Sequence, residues 1–74
     1  MQILPKDREL TTLIDTVGNT TYVGLGKLGS DASDAVWQIL RIQTSGTVTT
    51  VLYADGDQRF NNVWDDRLSL TYVN

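Results

Sequence analysis

The chain lacks cysteine and histidine altogether, and this absence removes several classes of chemistry. Without cysteine there is no disulfide, no thiolate metal site and no cysteine redox role. Without histidine, the commonest catalytic base and the commonest zinc ligand are missing. Nucleophilic catalysis would need a serine activated by lysine, or a carboxylate pair acting alone, and no serine lies in such a motif. We therefore expect no enzyme, no cofactor and no small-molecule substrate.

Clustered basic residues and long apolar runs are also absent. The formal net charge is −3, and the six lysines and arginines are scattered along the chain. Nucleic-acid backbones attract clustered cations, so nucleic acid is not expected as a partner. No apolar run approaches the ~20 residues that span a bilayer, and Met1–Lys6 lacks the features of a signal peptide. We expect no membrane partner, and a protein made in a cytoplasm and used or assembled there.

The length of 74 residues indicates one domain with little core. At this size a single core rarely supplies more than roughly 3–5 kcal/mol of net stability without a further staple. Disulfides are excluded, so oligomerisation is the staple left by elimination, while a monomer with a well-packed sandwich core is the alternative. Residues 1–9 are expected to be an N-terminal arm that is either flexible or exchanges a strand with a neighbouring sheet edge.

The stretch from Val36 to Gly56 predicts a central β-hairpin, because both arms are rich in Val, Ile, Thr, Trp and Tyr and are closed by glycine-containing turns. A two- or four-residue connection at Ser45-Gly46 pairs Ile39 with Leu52, and a three-residue connection, which we favour, pairs Trp37 with Tyr53. Both faces of this hairpin carry apolar side chains. One face is predicted to present Trp37, Ile39, Val51 and Tyr53, and the other Val36, Leu40, Ile42, Val48 and Leu52. If one face were exposed to water, apolar and polar residues would alternate along each strand. We therefore expect this sheet to lie between two layers or against a neighbouring subunit.

Further strands are predicted on both sides of the hairpin. Leu10–Val17 and Thr20–Val23 flank the turn signal Gly18-Asn19, and Leu68–Val73 alternates with period two as a closing strand that presents Leu68, Leu70 and Tyr72 to one side. Four residues fall at helical spacing before it: Phe60, Val63, Trp64 and Arg67. We predict an all-β fold, a small antiparallel sandwich or barrel of about five or six strands, with a short helical turn near residues 60–67 that seats Phe60 and Trp64 on the sheet.

Two motifs invite a ligand-binding interpretation that their context does not support. Gly24-Leu25-Gly26-Lys27-Leu28-Gly29 spells G-x-G-x-x-G, but no helix or acidic residue follows as a dinucleotide fold requires, so we expect glycines that bend or bulge a strand. Asp55-Gly56-Asp57 predicts a turn. A calcium site is the weaker alternative, because the twelve-residue loop with its closing glutamate is missing. Trp37 and Trp64 are expected to be core residues rather than stacking platforms.

Several short motifs between Tyr22 and Tyr72 carry a resemblance. They are Tyr22-Val23-Gly24, Ala35-Val36-Trp37-Gln38-Ile39 with Arg41-Ile42, Tyr53-Ala54-Asp55-Gly56, Phe60, and Asn62-Val63-Trp64-Asp65-Asp66-Arg67 with Ser69-Leu70-Thr71-Tyr72. In this layout the chain resembles small virion-associated proteins of tailed bacteriophages. The resemblance implies a structural component of the particle, such as a capsid decoration, head-fibre, neck or tail-associated subunit. It places the protein in the virion after synthesis in the host cytoplasm.

Three functional hypotheses follow. The first is a virion structural protein that contacts itself as a homo-oligomer, other virion proteins, or both. Its interface candidates are Trp37, Tyr53, Leu25, Tyr72, Ile39 and Val51, and its structural motif comprises Trp64, Asp65, Asp66, Arg67, Asp55 and Gly56. The second is a small carbohydrate- or peptide-binding module on a phage fibre. It requires a solvent-exposed aromatic side chain flanked by Asp or Asn, with the candidates Trp37, Trp64, Tyr22 and Tyr53. The third is an acidic decoy of a host nucleic-acid site, which requires carboxylates in rows.

Overall fold

A computed structural model describes residues 10–73, and it is an all-β structure built on a six-stranded antiparallel sheet. The strands are β1 (Leu10–Val17), β2 (Thr20–Lys27), β3 (Ala35–Ser45), β4 (Val48–Ala54), β5 (Asn62–Val63) and β6 (Tyr72–Val73). They lie in the order β1-β2-β3-β4-β6, and β5 pairs with the start of β3. The predicted fold class is confirmed, and its layout is one open sheet. The predicted arm, residues 1–9, lies outside the described residues.

Two glycine turns set the register of the sheet. Gly18 and Gly46 each have a φ near +60°, and each is followed by a residue with negative φ, which is the pattern of a type II′ hairpin turn. The Gly18-Asn19 hairpin was predicted and is confirmed. The second loop is Gly46-Thr47, so β3 and β4 pair as Leu40 with Tyr53 and Ile42 with Val51.

This register corrects both pairings that the sequence suggested for the central hairpin. Since the loop begins one residue later than the Ser45-Gly46 turn assumed, Tyr53 lies opposite Leu40, and neither Trp37 nor Ile39 has the predicted partner. Paired residues share a face, and successive residues alternate between faces. Val51 and Tyr53 therefore share a face with Leu40 and Ile42, whereas Trp37 and Ile39 are on the opposite face with Leu52.

One face of the sheet carries the core, and we call it the core face. Its buried apolar residues are Trp37, Ile39, Ala54, Trp64 and Tyr72, with Leu13, Tyr22, Ala32, Leu52 and Leu70 packed against them. Trp37 and Ile39 are each 1% exposed. The two indole rings lie 6.4 Å apart at a tilt of 49°, an arrangement that aromatic pairs favour. The expectation that both tryptophans are core residues is confirmed.

Two glycines of β2 provide the floor on which the tryptophan rings lie. A Cβ on Gly24 would stand 2.7 Å from Cζ3 of Trp64, and a Cβ on Gly26 would stand 2.7 Å from Cε3 of Trp37. Both glycines are buried within a regular strand that pairs continuously with β1. They therefore serve close packing, and the predicted bend or bulge at these positions is not observed.

The chain from Asp55 to Thr71, which we call the cover, crosses the core face and holds Trp64 in place. Asp55 and Gly56 both have positive φ, as a type I′ turn requires, and this turn leads the chain out of β4. The helical element is a single 3₁₀ turn at Trp64–Asp66, preceded by β5. Trp64 is 7% exposed, but Phe60 is 46% exposed, so the predicted seating of Phe60 on the core is wrong. A one-turn helix is too short to carry both residues on one face.

The closing strand is shorter than its alternation predicted. Within residues 10–73 the pairing with β4 is limited to Tyr72 and Val73, and Leu68 is 68% exposed in a turn. Ser69 donates hydrogen bonds from both its backbone N–H and its hydroxyl to the Asp66 carbonyl, at 2.9 and 3.0 Å. These bonds continue the turn past Arg67, so the chain becomes extended only at Tyr72.

We expect Gly24→Ala to destabilise the fold by about 1–3 kcal/mol, because the added methyl group overlaps the Trp64 ring and the core must shift. Urea unfolding measures this loss. In a chain that already carries Trp64→Leu, the same change should cost less than half as much, since the ring is gone. Equal losses in both backgrounds would contradict the ring contact.

Candidate interaction surface

The other face of the sheet, which we call the open face, presents an unbroken apolar row. Ile14 pairs with Val23, Val23 with Leu40, Leu40 with Tyr53, and Tyr53 with Val73, so the row crosses five strands. Within residues 10–73, none of these five side chains packs against the core cluster. Ile14 is 66% exposed and Val73 is 45% exposed. The row is therefore available for contacts outside the core.

Apolar side chains continue on both sides of this row. The open face also holds Leu10, Leu25, Val36, Ile42 and Val51. Contiguous apolar patches of this kind on a small protein mark interaction sites more often than scattered surface residues do. We therefore take the open face, and not a cleft with catalytic groups, as the candidate functional site.

The polar groups that border the apolar centre are mostly uncharged. At the hairpin-turn end, Thr16 and Thr21 are hydrogen-bonded at 3.2 Å, as are Thr44 and Thr49. At the other end lie Gln38 and Lys27. In the described part of the chain, Lys27 is the one charged residue whose position in the ladder places it on this face. An apolar centre with few charges and a polar rim is the usual anatomy of a protein contact.

The aspartates lie elsewhere. Asp15 is on the core face, and the other aspartates of the described chain are in loops and turns: Asp31, Asp34, Asp55, Asp57, Asp65 and Asp66. Within residues 10–73 no three carboxylates come together as a metal site would need. In the same range, no helix has the length and apolarity required to cross a membrane.

The six interface candidates divide between the two faces. Leu25, Val51 and Tyr53 lie on the open face, and Val51 is 48% exposed. Trp37, Ile39 and Tyr72 are buried in the core, at 1%, 1% and 8% exposure, so a partner cannot reach them in this fold. The division follows from the hairpin register, which separates Tyr53 from Trp37.

Sequence reasoning missed four of the five residues of the apolar row. Ile14, Val23, Leu40 and Val73 were not named as interface candidates, although Val23 and Leu25 alternate with Gly24 and Gly26 along β2. That alternation was the available signal. Two glycines two residues apart on one side of a strand imply that the larger residues between them face the other way.

A shallow cleft of about 350 Å³ lies at one corner of the open face, between Leu10, Lys27, Ser30, Val36 and Phe60. Its walls are the exposed side chains of Leu10, Val36 and Phe60, and Lys27 stands at its rim. The cleft extends the apolar patch to the loops that connect β2 with β3 and β4 with β5.

Arg67 fastens the cover to the sheet. Its Nε and Nη2 donate to Oδ2 of Asp15 at 3.1 and 3.0 Å, and its Nη1 donates to the Trp64 carbonyl at 3.2 Å. The guanidinium also lies 4.7 Å from the centroid of the Trp64 ring. Asp65 and Asp66 are the nearest carboxylates in sequence, but the guanidinium turns across the Trp64 ring towards Asp15 of β1.

Tyr72 completes the same corner of the core. Its hydroxyl donates to the Arg67 carbonyl at 2.8 Å, and its ring lies 4.9 Å from the Arg41 guanidinium and 5.8 Å from the Tyr22 ring. Burial raises the pKa of Tyr72 to about 12, and the nearby Tyr22 adds to this shift while Arg41 and Arg67 oppose it. The charged phenolate is disfavoured because it would lose water and its donated hydrogen bond.

The remaining residues of the structural motif act through the backbone. Asp65 donates its N–H to the Ala32 carbonyl at 3.1 Å, which joins the 3₁₀ turn to the loop after β2. The carbonyl of Asp66 accepts both bonds from Ser69 described above. Asp55 donates its N–H to the Thr71 carbonyl at 2.7 Å, which brings β6 alongside the end of β4. The motif therefore holds the cover on the core face, and it contributes nothing to the open face.

We expect Arg67→Lys to lower the free energy of unfolding by about 1–2 kcal/mol, because lysine keeps the charge but cannot bind Asp15 and the Trp64 carbonyl together. Urea unfolding is the measurement. The matched control is Arg59→Lys, an exposed arginine, which should change stability by less than about 0.5 kcal/mol. Similar losses in the two variants would show that Arg67 does not fasten the cover.

Tyr72 should make the fold sensitive to alkali. Because its pKa is about 12 in the fold against 10.0 ordinarily, the folded state holds the proton more tightly than the unfolded state does. The resulting stability is present below about pH 10 and is lost as pH rises towards about 12. Unfolding measured across this range should show the loss in the native chain, and Tyr72→Phe should flatten it. An unchanged slope in the variant would contradict the assignment.

Among known proteins, the chain matches no family model, no curated protein and no solved structure.

Proposed function

We propose that the protein is a structural component of a tailed-phage particle that acts through protein–protein contacts of its open face. The single observation that carries the proposal is the uncharged apolar row from Ile14 to Val73, which no segment within residues 10–73 uses in the core. A building block needs a contact surface of this type and needs no catalytic group. The particle assignment comes from the resemblance to virion-associated proteins.

The motifs that carry the resemblance have a role in the fold. Trp37, Trp64 and Tyr72 are core residues, and Arg67 fastens the cover. Shared motifs of this type would give related proteins the same covered core. The partner surface would then be supplied by the other face, where residues can differ from one particle to another.

The second hypothesis, a carbohydrate- or peptide-binding module, has weaker support. Trp37 and Trp64 are enclosed, so neither indole can stack on a sugar. Tyr22 packs against the core, and Tyr53 is half-buried on the open face. The features that still favour a ligand are Tyr53 and the corner cleft beside Phe60, which is 46% exposed. The acidic-decoy hypothesis needs rows of carboxylates, and the aspartates of the described chain are divided among separate loops and turns. The open face is larger than the cleft and favours the structural role.

Mass spectrometry of purified particles tests the proposal. We expect peptides of this chain, such as residues 42–59 between Arg41 and Arg59, to remain with particles through a density gradient and a high-salt wash. Apolar contacts resist salt, whereas adsorbed acidic proteins do not. A host cytoplasmic protein followed through the same steps is the control for carry-over. Presence in the lysate together with absence from the particles would overturn the proposed role.

A further inference from the structure

We propose that the partner of the open face is the open face of a second copy of this chain, so that two sheets pack into a two-fold symmetric sandwich with the apolar rows inside. This proposal names the partner for the contact surface of the proposed function, and it rests on that function only for its place in a particle. The inference itself stands on charge, area and the arrangement of the open face.

The charge distribution favours self-association through this face. The chain has a net charge of −3, and two copies that met through their aspartate-bearing loops would repel each other. The open face carries Lys27 as its one charge in the described chain. It is therefore the surface at which two acidic copies can meet without bringing carboxylates together.

The size of the face is sufficient for a modest dimer. Four long strands and a short fifth, about 4.8 Å apart and about eight residues long at roughly 3.4 Å per residue, present about 500–650 Å². Burying this area on both copies removes about 1,000–1,300 Å² in total, close to the lower bound of stable interfaces at about 1,200 Å². Interfaces of this size are typical of weak or transient complexes, so we expect the dimer to form and dissociate with concentration.

The rim is compatible with a two-fold axis. When the axis runs along the apolar row, Lys27 of each copy lies over the hairpin-turn end of the other, and the two cations are kept apart. That end carries the hydroxyls of Thr16, Thr21, Thr44 and Thr49, which are uncharged. Two twisted sheets stacked at about −30° would then form the interior that a single sheet lacks.

Sedimentation of the full chain over a wide concentration range tests the proposal, with a matched pair of substitutions in β4. Val51 and Val48 are 48% and 62% exposed, but Val51 is on the open face whereas Val48, opposite Ser45, is on the other side. We expect the native chain to reach twice its mass of 8.2 kDa. Val51→Glu should raise the dissociation constant at least about 30-fold, and Val48→Glu should change it less than about 3-fold.

A second measurement needs no substitution, so it remains informative if Val51→Glu does not fold. In a mixture of isotope-labelled and unlabelled full-length chains, filtered nuclear Overhauser spectra should show contacts between copies at the methyl groups of Leu25, Leu40 and Ile42. Contacts between copies that involve only core-side loops would overturn the proposal. So would equal effects of the two glutamate substitutions.

Other occupants of the face give different outcomes. A native chain that stays monomeric at high concentration would overturn the proposal that a second copy covers the face. If that monomer is nevertheless lost from particles only when it carries Val51→Glu, another virion protein covers the face and the proposed function survives. If contacts from Ile3 and Leu4 to the open face appear within one chain, residues 1–9 cover it. A dimer in solution that is absent from particles would support the second copy and contradict the virion role.

Discussion

The fold depends on two indole rings that lie directly on bare backbone. Gly24 and Gly26 leave room on β2 for the rings of Trp64 and Trp37, and those rings are the two largest side chains of a core with few buried residues. Trp37 is fixed by β3 and by the bond from its Nε1 to the Asp31 carbonyl at 2.9 Å. Trp64 belongs to the cover and not to the sheet, so it needs a separate contact that holds it in place. Arg67 provides this contact, because its guanidinium lies against the Trp64 ring and donates to the Trp64 carbonyl and to Asp15 of β1.

The strands were predicted more accurately than their register, and the reason is physical. Strand identity depends on local composition and turn residues, so β1 to β4 and the Gly18-Asn19 turn could be predicted from nearby residues. Register depends on the position and the length of a loop, and one residue more or less in the loop moves the side chains of one strand to the other face. The favoured three-residue connection placed Tyr53 beside Trp37, whereas the observed two-residue loop Gly46-Thr47 places Tyr53 opposite Leu40. The interface set therefore mixed core residues with surface residues.

Contacts between residues far apart in the chain could not be predicted from the sequence either. The bond between Arg67 and Asp15 joins residues 52 positions apart, whereas Asp65 and Asp66 lie within two positions of Arg67 and were the more obvious partners. The G-x-G spacing was correctly separated from nucleotide binding, but its use as a floor for tryptophan rings requires knowing which rings approach. The helical spacing of Phe60 and Trp64 failed because hydrogen bonding with β3 makes Asn62–Val63 a strand.

The packing of β2 explains why the open face is apolar. In an ordinary two-layer protein, the larger apolar residues of a strand face the core and the smaller or polar ones face water. In β2 the order is reversed, since Gly24 and Gly26 face the core while Val23 and Leu25 face away. The tryptophans fill the interior that these outward residues would otherwise fill. Val23 and Leu25 therefore lie outside the core cluster, and their half-buried side chains form part of the apolar open face.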